Sequence, residues 1–451
     1  MADAASERGA KQAELKTGMG MKAKLTAAIE DVRQRVRVAK AKRGRARSRA
    51  TFIAITGSSG KSTTTSLLGH LLADHGAVYS QFLANSMRSL VNTLYKRMQR
   101  AGDLDYVVFE AGAHGMGTIK PMADIFRPHV AVVTMVRLEH YSSFRKIENV
   151  AEEKGTLLDA LMPGGFAVLN ADDPHVAAMA GRTDHRVVTF GMSEGVDYRV
   201  ADVHAAYPQL LTFTLRWKEN ALRVAAPFPA DYFWLPVAAA VVTALELGMP
   251  PEKVDAALKT FKPLANRCEV VSIDGGPQFI VDAAKSPWHS LYMALDMVAK
   301  STVARKRIVL GQISDYAGST RKYHYAYKVA REVADEIIYT GDNAHKADPG
   351  QADIDSGRFL ELRSAKEVSD HIKRTAVPGE LILLKSSSNL HLERVALAWK
   401  HDVKCWIPTC KKREDCHTCG LYEVPYEEHD QHVRGLRRAR RWQRVRRLFG
   451  A

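Results

Sequence analysis

A glycine-bearing loop separates an apolar run from a run with leucines at helical spacing. The loop TGSSGKST, residues 56–63, follows TFIAI and precedes SLLGHLLADHG. Glycines let backbone N–H groups turn toward phosphate oxygens, and a lysine and a hydroxyl at the end of such a loop serve the terminal phosphates and Mg²⁺. The alternative is an ordinary Gly-Ser turn before a helix. We expect a nucleotide to be bound by Thr56, Gly57, Ser58, Ser59, Gly60, Lys61, Ser62 and Thr63.

Four of the five cysteines are crowded into a short segment, CWIPTCKKREDCHTCG. They are Cys405, Cys410, Cys416 and Cys419. Four thiolates with turn-forming residues between them predict a tetrahedral structural Zn²⁺ site, with His417 as a substitute ligand. An iron–sulfur cluster and unligated cysteines are the alternatives, because the spacing does not decide among them. The fifth cysteine, Cys268, is isolated, and this usage suits a reducing compartment.

Positive charge is concentrated at the two ends of the chain. Of a net charge of +15, residues 1–50 carry +9 and residues 426–451 carry +5. The final helix would place Ala439, Trp442, Val445 and Phe449 on one side and most arginines on the other. Either this stripe packs on the protein itself or the ends contact a polyanion, a membrane surface or a nucleic acid. Nucleic acid is the less favoured partner, because we find no aromatic RNA-binding motif.

No apolar signal segment opens the chain, and the longest apolar stretch, LPVAAAVVTALELG, is too short to span a bilayer. We therefore expect a cytoplasmic protein, peripheral to the membrane if the basic ends bind one.

Strands and helices alternate from residue 51 onward, which predicts an α/β fold with parallel sheets covered by helices. We expect a P-loop central domain, a Rossmann-like C-terminal domain, a four-cysteine metal-binding module and basic helical ends. The expected boundaries are 1–48 for a basic arm, 49–262 for the central domain, 263–401 for the C-terminal domain, 402–425 for the four-cysteine module and 426–451 for a basic amphipathic helix.

The loop departs from the general G-x-x-x-x-G-K-[ST] pattern, because Ile55 occupies the first glycine position. Its shorter T-G-x-x-G-K-[ST] form resembles the nucleotide loop of the Mur ligases, ATP-dependent enzymes that add amino acids to a peptidoglycan precursor, and of the related folylpolyglutamate and cyanophycin synthetases. From Phe52 to Trp399 further segments resemble Mur ligase motifs in the same order, nearest to the D-alanyl-D-alanine-adding branch. They are VVFEAGAHGMGTIK, VAVVTMVRLEHYSSF, NVAEEKGTLLDALMPGGFAVLNADDP, PLANRCEVV, IVDAAKSPWHSLYMAL and LLKSSSNLHLERV.

The resemblance implies two Mg²⁺ sites beside ATP. Ser62 and Glu110 would hold one ion, and a carbamylated Lys154 near His140 would hold the second. Taken singly, each residue is more simply explained without a metal: Glu110 as a helix-end charge, His140 as a surface histidine and Lys154 as part of a solvated charged face. The ordered set favours the metal-binding interpretation.

The remaining motifs imply contacts to nucleotide and substrate. Arg267 would contact phosphate, Asn170 would belong to the nucleotide site, and Asp282 would hold the incoming amine.

Three segments depart from the family pattern. Tyr232, Phe233 and Pro236 stand where the adenine-contacting asparagine is usual, so adenine would stack on an aromatic ring instead. Met135 replaces an asparagine, and Lys285 stands where a histidine or asparagine is usual. We also expect the uridine-nucleotide-binding domain of the peptidoglycan ligases to be missing, because the basic arm before the loop is too short and polar to form it.

The sequence thus predicts an ATP-dependent carboxylate–amine ligase that works through an acyl phosphate. Its partners would be a carboxylate acceptor other than a standard UDP-muramyl peptide and an amine or amino acid. The alternative from another class is a P-loop ATPase module that binds nucleic acid through its metal knuckle and basic ends and has lost ligase activity.

Overall fold

The computed structural model describes residues 26, 28–83, 86–96, 104–314, 319–408, 410, 415–436 and 438. These residues form two compact units. The first consists of the described residues up to Arg199 together with Leu235–Val254, and the second of Val200–Trp234 with the described residues from Asp255 onward. The apolar stripe predicted for the C-terminal helix, Ala439 to Phe449, lies outside the described residues.

A parallel sheet organises the first unit, in the order β2-β3-β1-β4-β5-β6. Strands β4 and β5 are buried along their whole length, as expected for a sheet covered on both faces. Because β1 lies between β3 and β4, its carboxyl end opens where the strand order reverses, the usual position of a ligand site in such sheets. The strands are β1 Thr51–Thr56, β2 Val78–Gln81, β3 Tyr106–Glu110, β4 Val130–Val133, β5 Phe166–Asn170 and β6 Arg186–Gly191.

Helices cover this sheet on both faces, and β6 also pairs with the first residues of β7, Tyr198–Ala206. A hydrophobic core cluster of this unit includes Phe52, Phe109 and Phe126. The helices are α1 at 28–47, α2 Lys61–Ala73, α3 Met87–Lys96, α4 Ile119–Phe126, α5 Tyr141–Phe144, α6 Ile147–Gly155, α7 Pro174–Ala177 and α8 Trp234–Glu246. The division between the two units falls within the next helix, α9 Pro251–Thr260.

Helix α1 packs on the first unit, although the segment was predicted as an arm. Ala41 is fully buried, and Val38 packs against the same core cluster. The buried Arg45 guanidinium lies over the Phe52 ring at 3.9 Å and donates to the carbonyl oxygens of Phe126 and Arg127, each at 2.6 Å. These are carbonyls at the end of α4, so a cation closes that helix's C-terminus.

The second unit contains a six-stranded sheet in the order β10-β11-β15-β12-β13-β14, parallel except for the antiparallel β10–β11 pair. A hairpin of β8, Gln209–Trp217, and β9, Asn220–Ala225, also belongs to this unit. The sheet strands are β10 Glu269–Ser272, β11 Gln278–Asp282, β12 Lys306–Leu310, β13 Glu336–Thr340, β14 Phe359–Leu362 and β15 Leu381–Lys385. The helices are α10 Trp288–Lys300, α11 Thr320–Val333, α12 Gln351–Asp355, α13 Ala365–Thr375, α14 Glu393–Leu397 and α15 Cys416–Cys419.

The central-domain boundary expected at residue 262 stays a prediction; by their contacts, residues 200–234 group with the second unit. Specific polar contacts explain this: Thr302 N–H donates to the Tyr207 carbonyl at 2.9 Å, and Lys300 pairs with Asp231 at 2.7 Å. Within the described residues, no helix has both the length and the apolarity to span a bilayer.

Candidate active site

The phosphate loop joins the end of β1 to the start of α2 and is shaped by Thr134. Gly57 has a φ of +147°, and a Cβ atom there would lie 1.9 Å from Thr134 Oγ1. Thr134 Oγ1 donates to the Ser59 carbonyl at 2.6 Å, so the hydroxyl occupies the space that a side chain at residue 57 would need. Gly60 caps α2 with a φ of 82°. The glycines therefore hold a conformation that is strained for any other residue.

Lys61 and Ser62 are the first residues of α2 and face the loop. Lys61 Nζ donates to the Gly57 carbonyl at 2.5 Å, which brings the ammonium back over the loop. Ser62 Oγ donates to Glu110 Oε2 at 2.8 Å, and the same carboxylate oxygen accepts from Leu83 N–H at 2.9 Å. Glu110 is the last residue of β3 and only 3% exposed. A hydroxyl beside a buried carboxylate is a pair of hard oxygen ligands of the kind that Mg²⁺ takes, so these residues fit the ion predicted for them.

Lys154 is fully buried and therefore does not belong to a solvated charged face. Its partner is Glu139, which the sequence did not indicate. Lys154 Nζ lies 2.6 Å from Glu139 Oε1. Burial lowers the pKa of Lys154 to about 8, with the charge of Lys61 acting in the same direction. Burial would raise the pKa of Glu139, but the charges of Lys61 and Lys154 outweigh it and hold that pKa below its usual range. Since Lys61 acts on both groups, the lysine–glutamate pair lies in the electrostatic field of the phosphate loop.

His140 is exposed and adopts a left-handed conformation at the start of α5. Its ring stands edge-on to that of His114, with the centroids 5.5 Å apart. His140 also acts electrostatically on Glu139 and lowers the pKa of that carboxyl group. His114 was missed by the sequence analysis, although it lies in the motif segment that follows Glu110.

Glu153 anchors the segment that carries His114. Its carboxylate accepts from the backbone N–H groups of Gly117 at 2.6 Å, Thr118 at 2.8 Å and Ile119 at 2.6 Å. These donors belong to the first turn of α4, where a negative charge is stabilising. Glu153 thus ties α6, which carries Lys154, to the loop after β3.

Asn170 contacts the phosphate loop indirectly, through Thr134. Its Nδ2 donates to the Thr134 carbonyl at 2.9 Å, and the residue is 4% exposed. Asp173, also buried, accepts from Val136 N–H at 2.9 Å and from Arg137 Nη1 at 2.8 Å. Both side chains fix the segment after β4 that contacts the phosphate loop, and the nucleotide contact expected of Asn170 stays a prediction.

Arg267 lies in the second unit, in a tight turn. Its neighbours Asn266 and Cys268 both have positive φ, at 60° and 53°, which is uncommon for residues other than glycine. The Arg267 Nε is buried and has no hydrogen-bond partner among the described residues. A guanidinium N–H left in this condition is suited to an anionic ligand, and the phosphate contact expected of Arg267 stays a prediction.

Asp282 ends β11 and pairs with a buried lysine. Lys385 Nζ lies 2.7 Å from Asp282 Oδ2 and also donates to the Lys285 carbonyl at 2.9 Å. Nearby, Tyr232 stacks on Phe233 with ring centroids 4.7 Å apart, and its hydroxyl lies 3.0 Å from Cys268 Sγ. These aromatic residues, which replace the expected asparagine motif, therefore already contact protein groups of the second unit.

Among the described residues, the sulfur atoms of the four clustered cysteines do not form a group in which every atom lies within 4.8 Å of the others. Instead, Cys416 lies with His391 and Glu393, and the ligand atoms of these three residues are within 4.8 Å of one another. His391 and Glu393 were not singled out as ligands in the sequence, because they lie in a segment that resembles a Mur ligase motif. The four-cysteine knuckle is not confirmed.

Fold and site together define an α/β nucleotide-binding protein with a phosphate loop and a hydroxyl–carboxylate pair suited to Mg²⁺. Residues 55–244 match the model of the Mur ligase middle domain, and residues 266–388 match that of the Mur ligase glutamate ligase domain. These two matches cover more than half of the chain and begin only at residue 55. The chain belongs to the Mur ligase family, whose members are ATP-dependent amide ligases.

Individual relatives agree with this assignment. The chain is 29% identical to the UDP-N-acetylmuramoyl-tripeptide–D-alanyl-D-alanine ligase of Mycobacterium tuberculosis H37Rv, over 79% of the chain and 74% of the relative. It is 26% identical to the UDP-N-acetylmuramoylalanine–D-glutamate ligase of Pelotomaculum thermopropionicum, over 79% and 75%. Its fold matches that of the MurF ligase from Thermotoga maritima in complex with ADP, with a TM-score of 0.70 at 19% identity over 81% and 83% of the two chains. The family supports the ligase prediction and not the nucleic-acid-binding alternative.

Proposed function

We propose that this protein uses ATP to join a carboxylate to an amine or amino acid through an acyl phosphate. The observation that carries this proposal is the arrangement in the first unit, where the phosphate loop carries Lys61 and the Ser62–Glu110 pair, and the charge of Lys61 also acts on the Lys154–Glu139 pair. A purely structural ion pair would have no need of a neighbouring cation, because that cation weakens the charged form of Lys154. A site built to collect phosphate and carboxylate charge does need one.

The chemistry explains the concentration of cations. A carboxylate is a poor acyl donor, so its oxygen first takes the γ-phosphoryl group of ATP, and ADP leaves. A neutral amine then attacks the carbonyl carbon of the acyl phosphate, phosphate leaves, and the nitrogen loses a proton. Lys61 stabilises the negative charge that develops on the transferred group, and Arg267, with its unpartnered Nε, is the proposed further phosphate contact.

Bound Mg²⁺ would neutralise phosphate charge, and Ser62 and Glu110 are the residues suited to hold it. Asp282 is the proposed contact for the incoming amine, from its position at the carboxyl end of β11. Stacking of adenine on Tyr232 or Phe233 stays a proposal of the same kind.

Lys154 is the proposed site of a carbamate, as the family resemblance implies. A neutral lysine amine adds CO₂ and releases one proton, and a pKa of about 8 leaves roughly a tenth of the amine neutral at pH 7, far more than in an ordinary lysine. A carbamate beside Glu139 and near His140 would place two negative charges together, which a second Mg²⁺ would offset.

Depletion of CO₂ tests the carbamate. Protein exchanged into CO₂-free buffer should lose activity and recover it with bicarbonate, and a carbamate carbon signal should appear in ¹³C NMR with labelled bicarbonate. The variant K154A should be inactive and regain part of its activity with added short carboxylates. Full activity of K154A without rescue would remove the lysine from the mechanism.

The acceptor is proposed to differ from a standard UDP-muramyl peptide. The described residues before β1 form helix α1, which packs on the sheet through Ala41 and Arg45. The opposite face of α1 exposes Ile29, Val32 and Val36 among basic residues, which fits an anionic membrane surface or a lipid-linked acceptor. A cytoplasmic, membrane-peripheral location follows as part of this proposal.

The C-terminal module is proposed to hold a structural Zn²⁺ ion, with Cys416 as one ligand. Cys405, Cys410 and Cys419 were the other ligands expected from the sequence, and an iron–sulfur cluster is the alternative for that set. Burial of Cys405 and Cys416 next to the ligase unit supports a structural ion over a catalytic one, because a catalytic site keeps an open position.

An ADP-release assay tests the proposed reaction. The full chain is incubated with ATP, Mg²⁺ and candidate acids, with and without D-alanyl-D-alanine or single amino acids, and the candidates include UDP-muramyl peptides and carboxylates that lack uridine. We expect ADP only with an acid, a new amide mass only when an amine is also present, and a hydroxamate when hydroxylamine replaces the amine. ATP hydrolysis that ignores every acid and rises with DNA or RNA would contradict the proposal.

A further inference from the structure

Three potential metal ligands converge where the segment after β15 meets the cysteine-rich segment. His391 Nδ1 lies 3.5 Å from Cys416 Sγ and 2.9 Å from Glu393 Oε1. Tetrahedral Zn²⁺ with ordinary bond lengths separates a nitrogen from a sulfur ligand by about 3.6 Å and from an oxygen ligand by about 3.3 Å. The observed separations need only small adjustments to accept an ion.

The three side chains are buried. His391 is 4% exposed, Glu393 is 2% exposed and Cys416 is 5% exposed. Glu393 Oε2 is buried and has no hydrogen-bond partner among the described residues. A buried carboxylate oxygen without a partner is costly, and a cation is the kind of ligand that would satisfy it.

Arg394 supplies a donor to the sulfur. Its Nε lies 3.2 Å from Cys416 Sγ, and its Nη1 donates to the Ile407 carbonyl at 2.8 Å. A buried guanidinium pointed at a sulfur atom favours a thiolate, which is the form of cysteine that binds metal. The Cys416 N–H also donates to Glu393 Oε1 at 3.1 Å, and this hydrogen bond keeps the carboxylate close to the cysteine.

A nucleophilic triad does not explain this arrangement. In such a triad the two nitrogens of the imidazole serve the nucleophile and the carboxylate separately. Here the same atom, His391 Nδ1, approaches both Cys416 and Glu393. Burial of the sulfur also keeps it away from a substrate.

We propose that His391 Nδ1, a carboxylate oxygen of Glu393 and Cys416 Sγ bind the Zn²⁺ ion as a composite site. The site presupposes the structural zinc proposed for the module and specifies its ligands. Cys405, the other buried cysteine of the segment, is the candidate for the fourth position, although its sulfur is not among the three mutually close ligand atoms. The ion thereby joins the cysteine-rich segment to the ligase unit itself, whereas a four-cysteine knuckle would close the segment only on itself.

Metal analysis of the full-length protein tests this ligand set. We expect about one zinc per chain in the wild type, and an affinity for zinc at least about tenfold weaker in H391A and E393Q. The variant H401A is the matched control, because His401 Nδ1 pairs with Glu423 Oε1 at 3.1 Å and His401 is not one of the three convergent ligands, so H401A should keep its zinc. Zinc retained in H391A but lost in C410A and C419A would overturn the composite site in favour of the four-cysteine knuckle.

A spectroscopic measurement on the unmutated protein covers the case in which a variant fails to fold. After exchange of zinc for Co²⁺, the molar absorption of the thiolate-to-cobalt charge-transfer band should correspond to one or two bound thiolates. A four-cysteine site would give the absorption of four. A wild type that binds no zinc or cobalt after reconstitution would refute both zinc proposals. Ligase activity measured on the same samples would be unaffected by that result, because the phosphate loop uses other residues.

Discussion

The phosphate loop of the first unit and the metal-ligand cluster of the second differ in how completely the protein satisfies its own polar groups. Around the loop, Lys61, Ser62 and Lys154 each have a close protein partner. In the second unit, Arg267 Nε and Glu393 Oε2 are buried without one among the described residues. The charged groups around the loop are therefore held by the chain itself, although Thr56 Oγ1 has no partner among the described residues, whereas Arg267 and Glu393 each leave a buried polar atom for a ligand to satisfy. Substitutions should reflect this difference.

The largest effect is expected for K61A. Loss of the ammonium removes charge stabilisation at the transferred phosphoryl group, so ATP-dependent amide formation should fall about 1,000-fold. The urea midpoint should barely change, because the Lys61 ammonium contacts a backbone carbonyl of a loop and not the core. The control K120A removes an exposed lysine that pairs with Asp124. Normal turnover by K61A would disprove the ligase mechanism.

The substitution R267M tests the second unit, where a buried polar atom has no protein partner among the described residues. Because the Arg267 Nε has no protein partner among the described residues, its replacement should weaken ATP binding at least about tenfold while leaving thermal stability equal or slightly higher. Isothermal titration with ATP and a melting curve on the same sample measure both quantities. The exposed Arg223, which contacts Thr212, provides the control R223M. A large loss of stability with unchanged ATP affinity would show that Arg267 is structural.

E153Q should destabilise the first unit by about 2 kcal/mol, because its carboxylate accepts three backbone N–H groups at the start of α4. Urea unfolding measures the change. Its neighbour Glu152 pairs with Arg182 near the surface, so E152Q should cost less than about 1 kcal/mol. Equal effects of the two substitutions would mean that the carboxylate does not organise the site.

The smallest effect is expected for R45A, at about 1 to 2 kcal/mol of unfolding free energy, from the loss of two hydrogen bonds to buried carbonyls. The exposed Arg43 gives the control R43A. If α1 instead serves only to bind an anionic surface, R45A and R43A should weaken vesicle binding alike and leave the melting temperature unchanged. That result would mean that α1 is a surface-binding arm and does not contribute to the stability of the first unit.

The sequence predicted the phosphate loop and its flanking elements well, because glycine placement and helical spacing are local signals. The motif order also indicated Glu110 and Lys154, which the structure places in one unit with the loop. The sequence did not indicate Glu139, Glu153 or His114. The partners of these side chains are brought to them by the fold, so no local sequence pattern marks the contacts. The partners of Cys416 were missed for the same reason: His391 and Glu393 approach it only through the fold.

The contact between α1 and α4 also has a consequence for synthesis on the ribosome. Arg45 finds its acceptors 81 and 82 residues further along the chain. At about 5 to 20 residues per second, α1 waits roughly 4 to 16 s after its own synthesis before Phe126 and Arg127 are made. During that interval a basic helix with apolar residues on its faces is without its native carbonyl acceptors, so α1 cannot complete its own packing until the end of α4 has been made.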